Sequence, residues 1–266
     1  MMASSLPPPL APILIGISTK MYFDLPTTTK YISSLSNPPS PISLFIIPSF
    51  PALPAAQQLL ADKNRLAQHS QFCPILLGAQ NCHHEDTGPF TGEVSPLMLK
   101  QLGCSIVELG HAERRASPFH ETDEMITLKA QAAIRNGLVP LICIGERARS
   151  AVASESVGVA IRECSAQIKA ILDAVPGDRE LIFAYEPVWA IGAEKPALSY
   201  HIATVVGQLK QSVQGREGAV RWLYGGSAGP GIWEDLKGAV DGLFLGRFAH
   251  DVGNVEMILK EISKAR

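Results

Sequence analysis

Four ionisable residues stand at the ends of apolar runs, where they could work on a small molecule: Lys20 after ILIGIS, His111 and Glu113 in ELGHAERR, and Glu186 in AYEPVWAIG. A glutamate flanked by apolar and aromatic residues can be partly desolvated, which raises its proton affinity toward that of a general base. The same residue also reads as a rim carboxylate paired to an arginine, and the local sequence leaves both readings open. His111 reads either as a helix-capping or hydrogen-bonded structural histidine or, from its place directly after a strand, as a catalytic one. Lys20 needs an anion, either a carboxylate or a substrate phosphate. The Gly-rich turns YGGSAGPG and LGRFAHD can offer backbone N–H groups of the kind that hold phosphate.

These groups can act together only if the chain brings them to one edge. Eight short runs rich in β-branched and apolar residues start at Ile13, Ser43, Pro74, Ser105, Leu138, Glu180, Val220 and Asp241. They are nearly continuously apolar, as strands buried on both faces of a parallel sheet must be, and their spacing leaves room for a helix after each. Helical signals fill several gaps. Ser95 can cap, Pro96 suits a first turn and Gly103 can end a helix, while ETDEMITLKAQAAIRNG carries acids early and Arg135 and Gly137 late. Eight β-α units predict either a closed (β/α)8 barrel or a doubly wound open sheet. In both, chemistry belongs at the carboxyl ends of the strands, where Lys20, Gln80, Asn81, His111, Glu113, Glu146, Glu186, Gly225 to Ser227 and Gly246 fall.

With 266 residues, 46% hydrophobic, and a formal net charge of −2, the chain can bury a large core and has no bulk attraction for nucleic acid. The opening MMASSLPPPLAP has neither a basic nor an apolar targeting segment, and no run is long enough to span a membrane. The expectation is a cytoplasmic, soluble protein with residues 1–12 as a loose Pro-rich lead-in and residues 13–266 as one domain. The five cysteines are scattered and form no CxxC pair, which predicts reduced thiols that mostly pack. His83, His84 and Glu85 read as a solvated loop rather than a metal cluster.

Taken in order, GAQN with FTGEVSP downstream, GHAERR, ETDE, AYEPVWAIG and YGGS closely resemble the triosephosphate isomerase family, from about Ile13 to the end. The resemblance implies the barrel, and an aldose-ketose isomerase working through an enediolate without metal or organic cofactor. It implies Glu186 as the base, a neutral His111 polarising the carbonyl, Lys20 offsetting charge and Glu113 as the second glutamate. It also implies that 187–197 form a closing lid, with Ser18 beside the substrate and Gly192, Ser227, Gly246 and Arg247 in the phosphate-binding slots. A homodimer through the loop from Asn81 to Glu93 follows by the same resemblance.

Several positions depart from the family. Ser18-Thr19-Lys20 stands where Asn-x-Lys is usual, Gly192-Ala193-Glu194-Lys195-Pro196-Ala197 alters the lid, Ala112 replaces a serine, and Arg247 fills the slot of a second glycine. Either the guanidinium of Arg247 turns outward, or it adds a charge-assisted contact. The family's own reaction, dihydroxyacetone phosphate with glyceraldehyde 3-phosphate, is the first expectation and would place the chain in glycolysis and gluconeogenesis. Because the departures cluster around the substrate, a tetrulose phosphate such as erythrulose phosphate is the alternative. A non-catalytic phosphosugar-binding protein is a third reading, opposed by the presence of Lys20, His111 and Glu186 together.

Overall fold

The computed structural model describes residues 10–67 and 71–265. Eight parallel strands, β1 (Ile13–Ser18), β2 (Ile42–Ile47), β3 (Ile75–Ala79), β4 (Ile106–Leu109), β5 (Val139–Ile144), β6 (Leu181–Tyr185), β7 (Val220–Tyr224) and β8 (Gly242–Leu245), pair in sequence order. Strand β8 also pairs with β1, so the sheet closes into a barrel and the open-sheet reading falls away. The helices that bear on the argument are α1 (Leu25–Ser34), α2 (Leu53–Ala67), α3 (Pro96–Gln101), α4 (Ala112–Arg115), α5 (Asp123–Arg135) and α6 (Ala153–Ala174). Their local signals act as read: Ser95 accepts from Met98 N at 3.3 Å, Thr122 from Met125 N, and Gly103 and Gly137 take positive φ beyond the helix ends.

The continuous apolar character of the strands resolves into two cores. One parity faces outward onto the helices, including Ile15, Ile17, Leu44 and Ile46. The other fills the barrel, with Leu14, Phe45, Ile47, Ile106, Leu141, Cys143, Ile182, Ala184, Leu223 and Phe244. Continuing the inward parity past each strand's last apolar residue reaches Ser18, Glu186 and Gly225, which is how alternate side chains come to point into one mouth.

The last residues of the lead-in are held against the barrel. Residues 1–9 lie outside the described residues, but Leu10 is buried among the barrel's interior side chains. The Ala11 amide donates to Ser43 Oγ at 3.1 Å, and the Leu10 carbonyl accepts from Arg221. An apolar side chain at the amino end of the barrel covers apolar surface there, which offsets the entropy of ordering it.

The interior leaves no spare volume at Gly16. A Cβ there would lie 2.2 Å from Phe45 Cζ and 2.6 Å from Phe244, rings that stack 6.0 Å apart across it. Gly16→Ala is therefore expected to lower stability by about 1 to 3 kcal/mol in urea unfolding, as overpacked cores do. Gly177→Ala, where a Cβ would meet nothing within 4 Å, serves as the control and should change little.

Candidate active site

At the carboxyl end of the barrel a cavity of about 610 Å³ is lined by Ser18, Lys20, His111, Glu113, Glu186 and the loops after β6, β7 and β8. That volume suits a small phosphorylated metabolite. All nine residues that the family resemblance places at the site border it: Gly192, Ser227, Gly246 and Arg247 join the five already named.

Glu186 is 3% exposed. Its slot is cut by two glycines: a Cβ on Gly225 would stand 2.5 Å from Glu186 Cγ, and one on Gly145 would stand 2.0 Å from the Glu186 carbonyl oxygen. Among the described residues no arginine pairs with the carboxylate, which goes against the rim ion-pair reading. Oε2 has no hydrogen-bond partner among the described residues, and His111 Nε2 stands 3.6 Å away. Burial raises the proton affinity of Glu186, with His111 and Lys20 pulling it back.

His111 is a helix-capping residue and also borders the cavity. Its ring caps α4, with Nδ1 accepting from the Glu113 amide at 3.1 Å. An accepting Nδ1 carries no proton, so a neutral ring holds its hydrogen on Nε2, the nitrogen that faces Glu186 across the cavity.

Lys20 has φ +48, a left-handed conformation costly for a residue with a side chain. The amide of Gln80 secures it by donating to the Lys20 carbonyl at 2.8 Å, and Thr19 N donates to Ile47 O. The ammonium then meets Glu113 Oε1 at 2.7 Å. Partial burial pulls the Glu113 carboxyl up, but the Lys20 hydrogen bond and the neighbouring His111 hold it below its ordinary range. The Ser18 carbonyl is in turn fixed by His250 Nε2 at 3.2 Å.

Over the cavity, the segment 187–197 is tied by three side-chain hydrogen bonds. Trp189 Nε1 donates to Glu146 Oε1 at 2.7 Å, Ser227 Oγ to the Ala190 carbonyl at 2.9 Å, and the Ala197 amide to Tyr224 Oη at 3.1 Å. Thus Glu146 anchors this loop from below rather than lining the site. The amides of Gly192 and Ser227 have no protein acceptor among the described residues and suit an anion. Arg247 turns toward the cavity, since a Cβ on Gly192 would lie 3.2 Å from its Nη2. No carboxylate lies within ion-pair distance of it among the described residues.

Some expected positions go elsewhere. Gln80 holds Lys20 rather than substrate, and Asn81 joins a buried cluster in which Lys129 Nζ and Arg114 Nε meet Glu121 Oε1, both at 2.6 Å. The His83 ring packs, tilted, 4.2 Å from those of both His84 and Phe90. Among the described residues no group of three or more His, Cys, Asp or Glu is arranged to hold a metal. Two inward-facing groups beneath the cavity, Glu108 and Cys143, escaped the sequence reading. A carboxylate inside the otherwise apolar run SIVELG was the available signal.

The buried base sets an expected pH dependence of stability. An unfolded chain releases the Glu186 proton near the ordinary 4.5, the folded chain only at higher pH. Between the two the unfolded state binds fewer protons, so stability falls as pH rises. Glu186→Gln is therefore expected to melt at a higher temperature than the parent at pH 8, with the gap closing toward pH 4. An unchanged gap across that range would contradict this linkage.

Comparison with known proteins agrees with this geometry. The triosephosphate isomerase family model matches residues 13–262. The L-erythrulose-1-phosphate isomerase of Pectobacterium atrosepticum is 43% identical over 263 residues, covering 94% of this chain and 95% of that protein. Proteins of the same name from Mycolicibacterium smegmatis, 38% identical over 94% of this chain and 93% of theirs, and Rhizobium rhizogenes, 37% identical over 95% of each, are also similar. The chain therefore belongs to the triosephosphate isomerase family, and is an intramolecular oxidoreductase of its aldose-ketose isomerase type.

Proposed function

We propose that this chain isomerises L-erythrulose 1-phosphate. The observation that carries this is the shared name of relatives similar over nearly the whole chain, and it favours the four-carbon alternative over the triose reaction expected first. The short hydroxyl of Ser18 at the cavity wall supports it, because a fourth carbon needs room beside the reacting centre. On this reading a place in glycolysis or gluconeogenesis no longer follows.

The substrate has its carbonyl at C2 and its phosphate on C1. C1 cannot become a carbonyl while it carries the ester, so the proton must leave C3. Glu186 takes that proton, and the C3–H electrons form the C2–C3 double bond of an enediolate. His111 Nε2–H supports the oxygen at C2, and the Lys20 ammonium offsets the growing charge. The C2 oxygen takes the hydrogen of His111 Nε2 while the C3 hydroxyl yields its own to that nitrogen, Glu186 returns its proton to C2, and the carbonyl appears at C3. With four carbons this chemistry yields a second ketose, where a triose would yield an aldose. Phosphate is received by the Gly192 and Ser227 amides, the open space at Gly246 and the Arg247 guanidinium, with 187–197 closing over it to exclude water.

Two further properties accompany this reading. Homodimerisation through the loop from Asn81 to Glu93 is supported by its partly exposed Phe90. A cytoplasmic location is supported by five free thiols. No helix among the described residues is long and apolar enough to cross a membrane.

In assays with both substrates, kcat/KM is expected to be at least about tenfold higher for L-erythrulose 1-phosphate than for dihydroxyacetone phosphate, the discrimination a pocket can give for one extra carbon. Equal or reversed ratios would overturn the four-carbon reading. Glu186→Gln should lower kcat by at least about a hundredfold with either substrate. Arg247→Gly should raise KM, a loss of about 1.5 to 3 kcal/mol for a charged contact, and an unchanged KM would take the guanidinium out of phosphate binding.

A further inference from the structure

Arg115, the second arginine of GHAERR, does not border the cavity, yet all three nitrogens of its guanidinium are engaged. Nε donates to the Gly110 carbonyl at 2.7 Å, Nη2 to the Cys143 carbonyl at 3.2 Å, and Nη1 to Asp123 Oδ1 at 2.6 Å. The side chain is 13% exposed.

The two carbonyls lie where the ladder between β4 and β5 has just ended. Leu109 and Ile142 are its last paired residues, and at Gly110 a φ of +68 turns the chain out of the strand and into His111. A side chain could not take that place, since a Cβ would stand 2.6 Å from Ile126 Cδ1 and 3.1 Å from Arg115 Nη2. The turn gives up strand pairing, and the guanidinium spans the gap with one carbonyl on each side. A planar fork with fixed donor directions sets their separation in a way that an ammonium cannot. On the far side of β5, the Ile144 carbonyl accepts from the Glu186 amide at 2.8 Å. Backbone bonds therefore run from the His111 peptide through Arg115 and β5 to the Glu186 peptide, and the two side chains at the ends meet at 3.6 Å.

We propose that Arg115 is a positioning residue for the isomerisation, bracing the His111 peptide against β5 and so fixing the imidazole relative to Glu186 and the substrate oxygens. This rests on the reading of His111 as the group that supports those oxygens. The pair with Asp123 serves the fold by neutralising a largely buried cation, whereas the carbonyl bonds serve the site. An imidazole displaced by about 1 Å loses transition-state stabilisation, while a substrate held by its phosphate still binds. The loss belongs in kcat.

Steady-state kinetics with whichever phosphoketose the enzyme turns over provide the test. Arg115→Lys keeps a charge for Asp123 but has no fork for two carbonyls, and kcat is expected to fall at least about tenfold with KM within about threefold. Asp123→Asn removes the ion pair and leaves the carbonyl bonds, so kcat should stay within about twofold even where the variant melts earlier. In a His111→Gln background, Arg115→Lys should lower kcat by no more than about a further twofold, because the group it positions is already gone. Wild-type kcat in Arg115→Lys, a loss confined to KM, an equal kcat loss in both backgrounds, or an equal loss in Asp123→Asn overturns the proposal. Should Arg115→Lys not fold, Arg115→Gln, with a single amide for two carbonyls, takes its place in the same comparison. If His111→Gln is impaired while Arg115→Lys is not, Arg115 alone loses its role; if His111→Gln keeps full turnover, the reading of His111 has failed instead.

Discussion

Burial strips water from the Glu186 carboxylate, and nothing among the described residues replaces it with a close ion pair: His111 stands 3.6 Å off and Oε2 has no partner. A carboxyl in that position resists ionisation and reacts strongly once ionised. The surroundings serve this condition. Gly145 and Gly225 cut the slot, and the Lys20 ammonium goes to Glu113 and acts on Glu186 only from a distance. The stability surrendered at one carboxylate is small against the two apolar cores that hold the strands in register.

The barrel was legible because burial on both faces leaves a plain mark on sequence. Continuous apolar runs at regular spacing needed only closure, and no local pattern encodes a β1 to β8 pairing. The site was legible to the extent that chemistry lies just past strand ends and that the motifs resemble a known family. What remained hidden was which group each residue meets. Gln80 ends a strand as a substrate ligand might, yet its amide secures the left-handed Lys20. Glu146 holds Trp189, and Ser227 Oγ is committed to the Ala190 carbonyl, so their polar atoms serve loop geometry first. Such pairings join residues far apart in the chain and carry no spacing signal.

The departures from the family fall on few elements. Ser18 ends β1 and Arg247 follows β8, strands that neighbour one another across the closure. Between them His250 holds the Ser18 carbonyl, and burial, with the positive charges of Lys20 and Arg247, lowers the proton affinity of that imidazole against the pull of the Ser18 hydrogen bond. Two of the departures therefore share one sector of the mouth, while Ala112 and the altered lid lie in the other. The opposite sector, with His111 on the β4 loop and Glu186 on β6, keeps the proton-transfer groups.

Phe244 both lines the cavity and stacks on Phe45 in the barrel, over a Gly16 that has no side chain to give. The floor of the site and the plug of the scaffold are thus one pair of rings. A larger ligand cannot be admitted by deepening the pocket there, because every ångström taken from the floor would be taken from the core. Variation in substrate size is confined to the walls, and a lineage exploring new sugars on this scaffold is steered toward the strand ends.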